Sequence, residues 1–282
     1  MTTGEIRIDA LLPPEMARRA EYLGVRKAEA PILATFTLAV LAGAFIALGA
    51  VFATTVAAGA ADVVPYGFVR LIAGVVFTLG LVLVIVGGAE LFTGNNLIVM
   101  AWAGRKVSTA GLLRNWGIVY AGNFIGALGT AGLMYLSRQY TFGGGVVGTT
   151  ALATANAKVG YGFVQAVALG ILCNALVCLA VWLTYSARST VDKIAAILLP
   201  IAAFVAAGFE HSIANMYFVP IALFIKALDP AFIAASGVDV SRLTWGSFLT
   251  ANLFPVTLGN IIGGTLLVAA TYWFVFLRRS EG

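Results

Sequence analysis

Two apolar runs in this chain are the wrong length for a simple membrane crossing. A helical span needs about 20 residues. Runs 65–102 and 194–228 are much longer, yet too short for two full spans and a turn. Each carries the same interruption, Gly88-Ala89-Glu90-Leu91-Phe92-Thr93-Gly94-Asn95 and Gly208-Phe209-Glu210-His211-Ser212-Ile213-Ala214-Asn215. Both read G-x-E-x-x-x-[small]-N. An ionisable group at such depth costs about 2.5–3.5 kcal/mol on insertion scales and marks a transport pathway by default. The pattern predicts two helices that break inside the membrane, at Glu90–Asn95 and Glu210–Asn215. Unwound backbone is tolerated there only where protein buries it or where it lines a cavity.

Four further apolar runs, 31–58, 116–136, 162–185 and 245–276, bring the count to six spans. The chain is 61% apolar and 10% charged, where a soluble domain carries about a quarter charged residues. That excludes a soluble enzyme or a nucleic-acid-binding protein and specifies an all-α membrane protein. Its 32 glycines suit close helix–helix contact. An even span number puts both termini on one side. Five basic residues, Arg70, Arg138, Lys158, Lys226 and Arg242, fall on the other side; the remaining 12 of 17, Arg7 and Arg279 included, share the side of the termini. The bias places both termini in the cytoplasm, in the inner membrane.

Residues 1–30 are polar and have no apolar core of a signal peptide. Within them Leu12 to Val25 reads as an amphipathic helix, Met16, Ala20 and Leu23 on one side and Arg18, Arg19, Arg26 and Lys27 flanking, set on the membrane surface or docked on protein. Residues 31–282 form one transmembrane domain. Cys173 and Cys178 read as small packing residues, and no metal or cofactor is expected.

The halves repeat, over about 31–138 and 157–279. Gly122-Asn123-Phe124-Ile125-Gly126 matches Gly259-Asn260-Ile261-Ile262-Gly263, and Phe36 and Gly43 align with Phe163 and Gly170. Three spans per half is an odd number, so the second half enters the membrane inverted. Inverted repeats with equivalent broken helices place a substrate site at the midplane between them. Glu90 and Glu210 read as structural acceptors for loop N–H groups, since carboxylates facing the passage would repel anions. Asn95, Asn215, Asn123 and Asn260 read as packing glue, with Asn260 nearest the pathway. His211 is the one side chain that titrates near neutrality unperturbed. It is either a proton donor in the passage or a structural hydrogen-bonder, and Glu210 beside it could hold the ring's tautomer.

At these residues the chain resembles the formate–nitrite transporters. Ile85 to Gly94 is similar to that family's first signature, Gly170 to Ala180, with Val177 inside it, to its second, and Gly208 to Met216 to its central-histidine motif. The resemblance runs from about Leu11 to Arg278, and Leu11 to Lys27 is closest to the formate branch. It implies an aquaporin-like fold, a homopentamer with one pore per protomer, and passage of small monovalent anions. By motif matching it implies that Leu81, Leu91, Phe92 and Phe204 form apolar constrictions and that Thr93 and His211 form the central polar pair. Lys158, Asn174 and Asn260 would be polar groups at the vestibule and around the site.

Dehydrating an anion costs several kcal/mol, and neutralising formate at pH 7, with its pKa near a carboxyl's 3.9, costs roughly 4 kcal/mol. The two are comparable, so a pore with a proton donor can pass formic acid. We therefore expect a channel or proton-coupled transporter for formate, with nitrite or hydrosulfide on the same scaffold as the alternative and acetate as a further candidate. An intramembrane enzyme would want a nucleophile–base pair or a metal cluster, and a lone histidine beside a glutamate is neither. A neutral-solute pore would want paired Asn-Pro-Ala loops, which are missing. His211 should lie within reach of Thr93 across the repeat interface. The glycine-rich faces of the first and third spans should bury against neighbouring protomers.

Overall fold

The computed structural model describes residues 10–60 and 63–278; Arg7 and Arg279 lie outside the described residues. Those described are all helix and connection, with no strand. Helix α1 (Pro13–Glu29) starts on a proline pair, with Glu15 accepting the Leu12 N–H at 3.0 Å. Then come α2 (Ile32–Ala57), α3 (Tyr66–Gly87), a 3-10 turn (Gly94–Ile98) running into α4 (Val99–Ala103), and α5 (Thr109–Leu136). The second half holds α6 (Val146–Lys158), α7 (Phe163–Thr184), α8 (Thr190–Ala206) and α9 (Ser212–Leu228). A short α10 (Pro230–Ser236) turns 108° from α9, and a long α11 (Trp245–Phe276) closes the fold.

Helices α2, α3, α5, α7 and α11 are each long and apolar enough to cross a membrane, and α9 with α10 makes a sixth candidate, bent by 108°; α8 and α9, the two helices flanking the second break, have 17 residues each. Both breaks end the incoming helix with one device, a glycine in the left-handed region: Gly88 at φ 74° and Gly208 at φ 78°. The second break is shorter than its motif suggests. Helix α9 already starts at Ser212, so Asn215 sits inside its first turn.

Equivalent contacts fix the repeat's register. The Glu90 N–H donates to Leu38 O at 3.2 Å and the Glu210 N–H to Leu169 O at 3.3 Å. Asn123 Nδ2 donates to Ala39 O and Asn260 Nδ2 to Gly170 O. Gly170 is thus the counterpart of Ala39, four residues from Gly43, which instead matches Asn174. Small residues recur every turn in these helices, and a slip of one turn is invisible in the sequence. The same register pairs Lys27 of α1 with Lys158 of α6. Helix α1 packs on the segment after the first break and α6 on α9 after the second, so each repeat begins one helix before its first span.

The glycine faces serve contacts inside the chain. A Cβ on Gly43 would collide with the Asn123 backbone, and one on Gly126 with Val40 O, so these glycines join α2 to α5. Gly259 and Gly263 set α11 against α7 in the same way. Gly43 and Gly126 are therefore not available to a neighbouring protomer, where the glycine faces of the first and third spans were expected to bury. Only Gly117, Gly129 and Gly132 of α5 have open space before them.

Candidate functional site

Two buried clusters hold the breaks, and they are near copies. In the first, Lys27 Nζ donates to Glu90 Oε1 at 2.7 Å and to Asn95 Oδ1 at 2.9 Å. Asn95 Nδ2 donates to Glu90 Oε2 at 2.7 Å and to Asn115 Oδ1 at 2.9 Å, and Asn115 Nδ2 returns to Lys27 O. In the second, Lys158 Nζ donates to Glu210 Oε1 at 2.7 Å, and Asn215 Nδ2 to Glu210 Oε2 at 2.7 Å and Asn252 Oδ1 at 2.8 Å. Asn252 Nδ2 closes the ring on Lys158 O. The glutamates therefore bind lysine and asparagine side chains, where acceptors of loop N–H groups were expected. Each carboxylate is neutralised by its lysine, so neither presents a free negative charge to an anion. Asn252 is turned inward by a π-helical stretch of α11 (Phe248–Leu253).

One bond breaks the symmetry. Asn215 Oδ1 has no partner where Asn95 Oδ1 accepts from lysine. The Lys158 ammonium instead lies 5.2 Å from the centre of the Phe218 ring.

Between the clusters run two vestibules and a neck. On the side of α1, a vestibule of about 290 Å³ is lined by Arg19, Lys27, Leu81, Glu90, Leu91 and Lys193, among others. A distal vestibule of about 350 Å³ is lined by Arg70, Phe77, Lys158, Tyr161, Phe204, Glu210, His211 and Phe218, among others. The neck is a void of about 10 Å³ walled by Ile46, Phe77, Leu81, Leu91, Val177, Ile201, Phe204 and His211. That is about the least that holds one water, so the neck is closed to a hydrated ion. The Phe77 and Phe204 rings meet edge-to-face at 5.7 Å, and Phe204 stacks on the His211 ring at 5.9 Å.

His211 is the N-cap of α9. Its Nδ1 accepts the Ala214 N–H at 3.1 Å, and its Nε2 lies 3.0 Å from Thr93 Oγ1 across the repeat interface. A nitrogen that accepts carries no proton, so the neutral ring holds its hydrogen on Nε2 and donates it to Thr93. Backbone geometry sets this tautomer, and Glu210, bound to Lys158, takes no part. Thr93 Oγ1 keeps its own proton for a further acceptor. Asn174 Nδ2 and the Cys178 thiol both donate to Thr93 O at 3.3 Å, so this cysteine does more than fill space.

Of the residues singled out by sequence, Leu81, Leu91, Val177, Phe204, His211 and Lys158 line the neck or its mouths. Thr93 is bonded to the histidine, and Asn174 stands behind it. Phe92 points elsewhere. Its ring packs edge-on against Tyr120 at 4.9 Å and Trp116 at 5.9 Å, and it lines an apolar groove between α5 and α11. Asn260 does not reach the pathway either. Its Oδ1 accepts the Ser212 N–H, and its Nδ2 serves Gly170 O and Glu210 O. Phe77, Ile46 and Ile201 were not anticipated; being apolar residues on apolar helices, they carry no signal of their own. Asn115 and Asn252 were legible, since they stand 137 residues apart, as do Asn123 and Asn260.

The chain matches a family model described as formate/nitrite transporter over residues 14–274. It is similar to a formate channel FocA of Escherichia coli (strain K12), 48% identical over 277 residues and 97% of each chain. A probable formate transporter of Methanothermobacter thermautotrophicus is 37% identical, over 95% of this chain and 97% of its own. A solved structure described as a pentameric formate channel with formate bound superposes with a TM-score of 0.82 at 45% identity, covering 88% of this chain and 98% of that one.

Proposed function

Because the chain belongs to the formate/nitrite transporter family, we propose that it is a homopentameric membrane channel whose protomers each pass formate, together with a proton, through the neck beside Thr93 and His211. The observation that carries this reading is His211, the one polar residue walling an otherwise apolar neck between lysine-bearing vestibules, with Thr93 bonded to its ring at 3.0 Å. A formate oxygen in the neck accepts from the Thr93 hydroxyl, which accepts from His211 Nε2–H. Such a chain of hydrogen bonds polarises along its length.

Proton delivery follows the same line. The Nε2 proton moves to Thr93 Oγ1 as the threonine proton moves to formate. The ring stays neutral only if Nδ1 has first taken up a proton, which breaks its bond to the Ala214 N–H. Losing an N-cap costs about 0.5–2 kcal/mol, which adds to the roughly 4 kcal/mol of neutralising formate at pH 7. The total is comparable with the several kcal/mol of dragging a bare anion through an apolar neck, so proton-coupled passage is an open route.

The protein is multi-pass, and we place it in the inner membrane with both termini in the cytoplasm, on the distribution of its basic residues. The test is stopped-flow uptake into proteoliposomes of formate, nitrite and hydrosulfide under an imposed pH gradient. Formate uptake that is fastest of the three and driven by an inward proton gradient is expected. Uptake indifferent to the gradient, or faster for nitrite, would overturn the reading.

A further inference from the structure

Arg70 stands in the first turns of α3 at the wall of the distal vestibule. It reaches across the repeat interface to the end of α8. Its Nε donates to Ala206 O at 3.3 Å and its Nη2 to Val205 O. These are the last carbonyls of the half-helix that stops at the second break, and Gly208, which makes the break, lines the same vestibule. No carboxylate among the described residues is paired with Arg70. At the opposite break, no side chain among the described residues bonds the last carbonyls of α3.

The charges facing an anion in the distal vestibule can be counted. Lys158 is cancelled by Glu210 at 2.7 Å. His211 is a neutral donor in the geometry described above. The end of α8 presents the negative pole of a helix, equivalent to about half an elementary charge. Among the described residues, Arg70 is then the one cation lining this vestibule that no carboxylate cancels. With it the wall is net positive; without it the wall is net negative, and an approaching anion is repelled by bare carbonyls.

We propose that Arg70 is a selectivity residue of the distal mouth, which masks the negative end of the broken helix α8 and supplies the positive charge that draws the anion in. This rests on the anion-channel reading of the site. Arg70 acts on capture, outside the neck, so its loss should change how much formate is needed and leave the maximal rate alone. Charge-steered capture also weakens with ionic strength, because exposed charges are screened beyond about 10 Å at 0.1 M salt.

The experiment measures formate uptake into proteoliposomes by the wild type, Arg70→Gln and Arg70→Lys, at low ionic strength and again in 0.5 M of an impermeant salt (about 4–5 Å of screening length). The glutamine amide nitrogen sits at the chain position of the arginine Nε, so it can still donate to Ala206 O while it loses the charge and the bond to Val205 O; Arg70→Lys restores the charge. The expected result is an apparent KM raised about tenfold in Arg70→Gln at low salt, equivalent to about 1.4 kcal/mol. The gap should shrink below about twofold at high salt, with the maximal rate kept and Arg70→Lys close to wild type. A KM equal to wild type in Arg70→Gln, or a fall in maximal rate that is the same at both salt concentrations, would overturn the proposal, the second outcome marking Arg70 as a structural clamp only. Vesicles in which even the wild type passes no formate would overturn the channel reading itself, and this inference with it.

Discussion

Replacing Lys158 by methionine should destabilise the protein far more than replacing Lys27, although the two lysines are equivalent in the repeat. The ion pair of Lys158 and Glu210 leaves their side chains 13% and 2% exposed; for Lys27 and Glu90 the figures are 30% and 14%. Lys158→Met strands a carboxylate that water cannot reach, with the amides of Asn215 at 2.7 Å and Asn252 at 3.2 Å as its remaining donors. Removing one partner of a buried pair costs about 3–5 kcal/mol. Lys27→Met leaves a carboxylate that water partly reaches, so the loss should fall to about 1–2 kcal/mol, between the buried figure and the worth of an exposed pair. The double variant Lys158→Met/Glu210→Gln removes the stranded charge while keeping an oxygen for Asn215 and Asn252, and it should recover most of the loss. Denaturant unfolding of the detergent-solubilised protein, followed by tryptophan fluorescence, reads all three. Equal losses for the two lysines, or a double variant no better than Lys158→Met alone, would refute the reasoning.

Three further outcomes are expected. His211→Asn keeps a good N-cap for α9 but is too short to reach Thr93, so the protein should fold while formate uptake drops about tenfold, the loss of roughly one hydrogen bond, and loses its dependence on the imposed proton gradient; an unchanged dependence on that gradient would reduce His211 to a helix cap. Gly126→Ala drives a Cβ into Val40 O, where backbone cannot give way, and should cost about 1–3 kcal/mol or more, whereas Gly129→Ala, with nothing within 4 Å, should be neutral or slightly stabilising in the same unfolding assay. Asp229, at the corner between α9 and α10, is held below the usual carboxylate range, first by the Tyr140 hydroxyl and then by the Phe232 N–H. A depressed folded pKa means its stabilisation is present above the ordinary carboxyl value of about 3.9 and is lost as pH falls through the folded one. Tyr140→Phe should therefore raise the Asp229 pKa toward that ordinary value, read by carboxyl-region NMR or by a flatter acid limb of the stability curve.

Much of the architecture was legible before any coordinates. The duplicated G-x-E-x-x-x-[small]-N segments, each in a run of the wrong length, specified two broken spans. The odd number of spans per half then forced an inverted repeat, and the resemblance to the formate–nitrite transporters paired Thr93 with His211. The broken spans and the inversion depend on length, periodicity and backbone satisfaction, which a chain carries along its own axis. What only the tertiary structure decided is which side chain meets which across that symmetry. The register of α2 on α7 had to come from contacts, because Gly43 and Gly170 sit in patterns that repeat each turn. Lys27 looked like one more charge on a surface helix until the fold brought it to Glu90. Phe92, beside Leu91, was assigned to the constriction, yet consecutive residues in an unwound loop point different ways, and its ring turned to Trp116 and Tyr120. His211 was marked out by being unique, but its tautomer is set by the Ala214 N–H, a group no composition or motif exposes. Local sequence specifies where a helix must stop. The direction in which its last polar atoms point is settled by the elements packed against it.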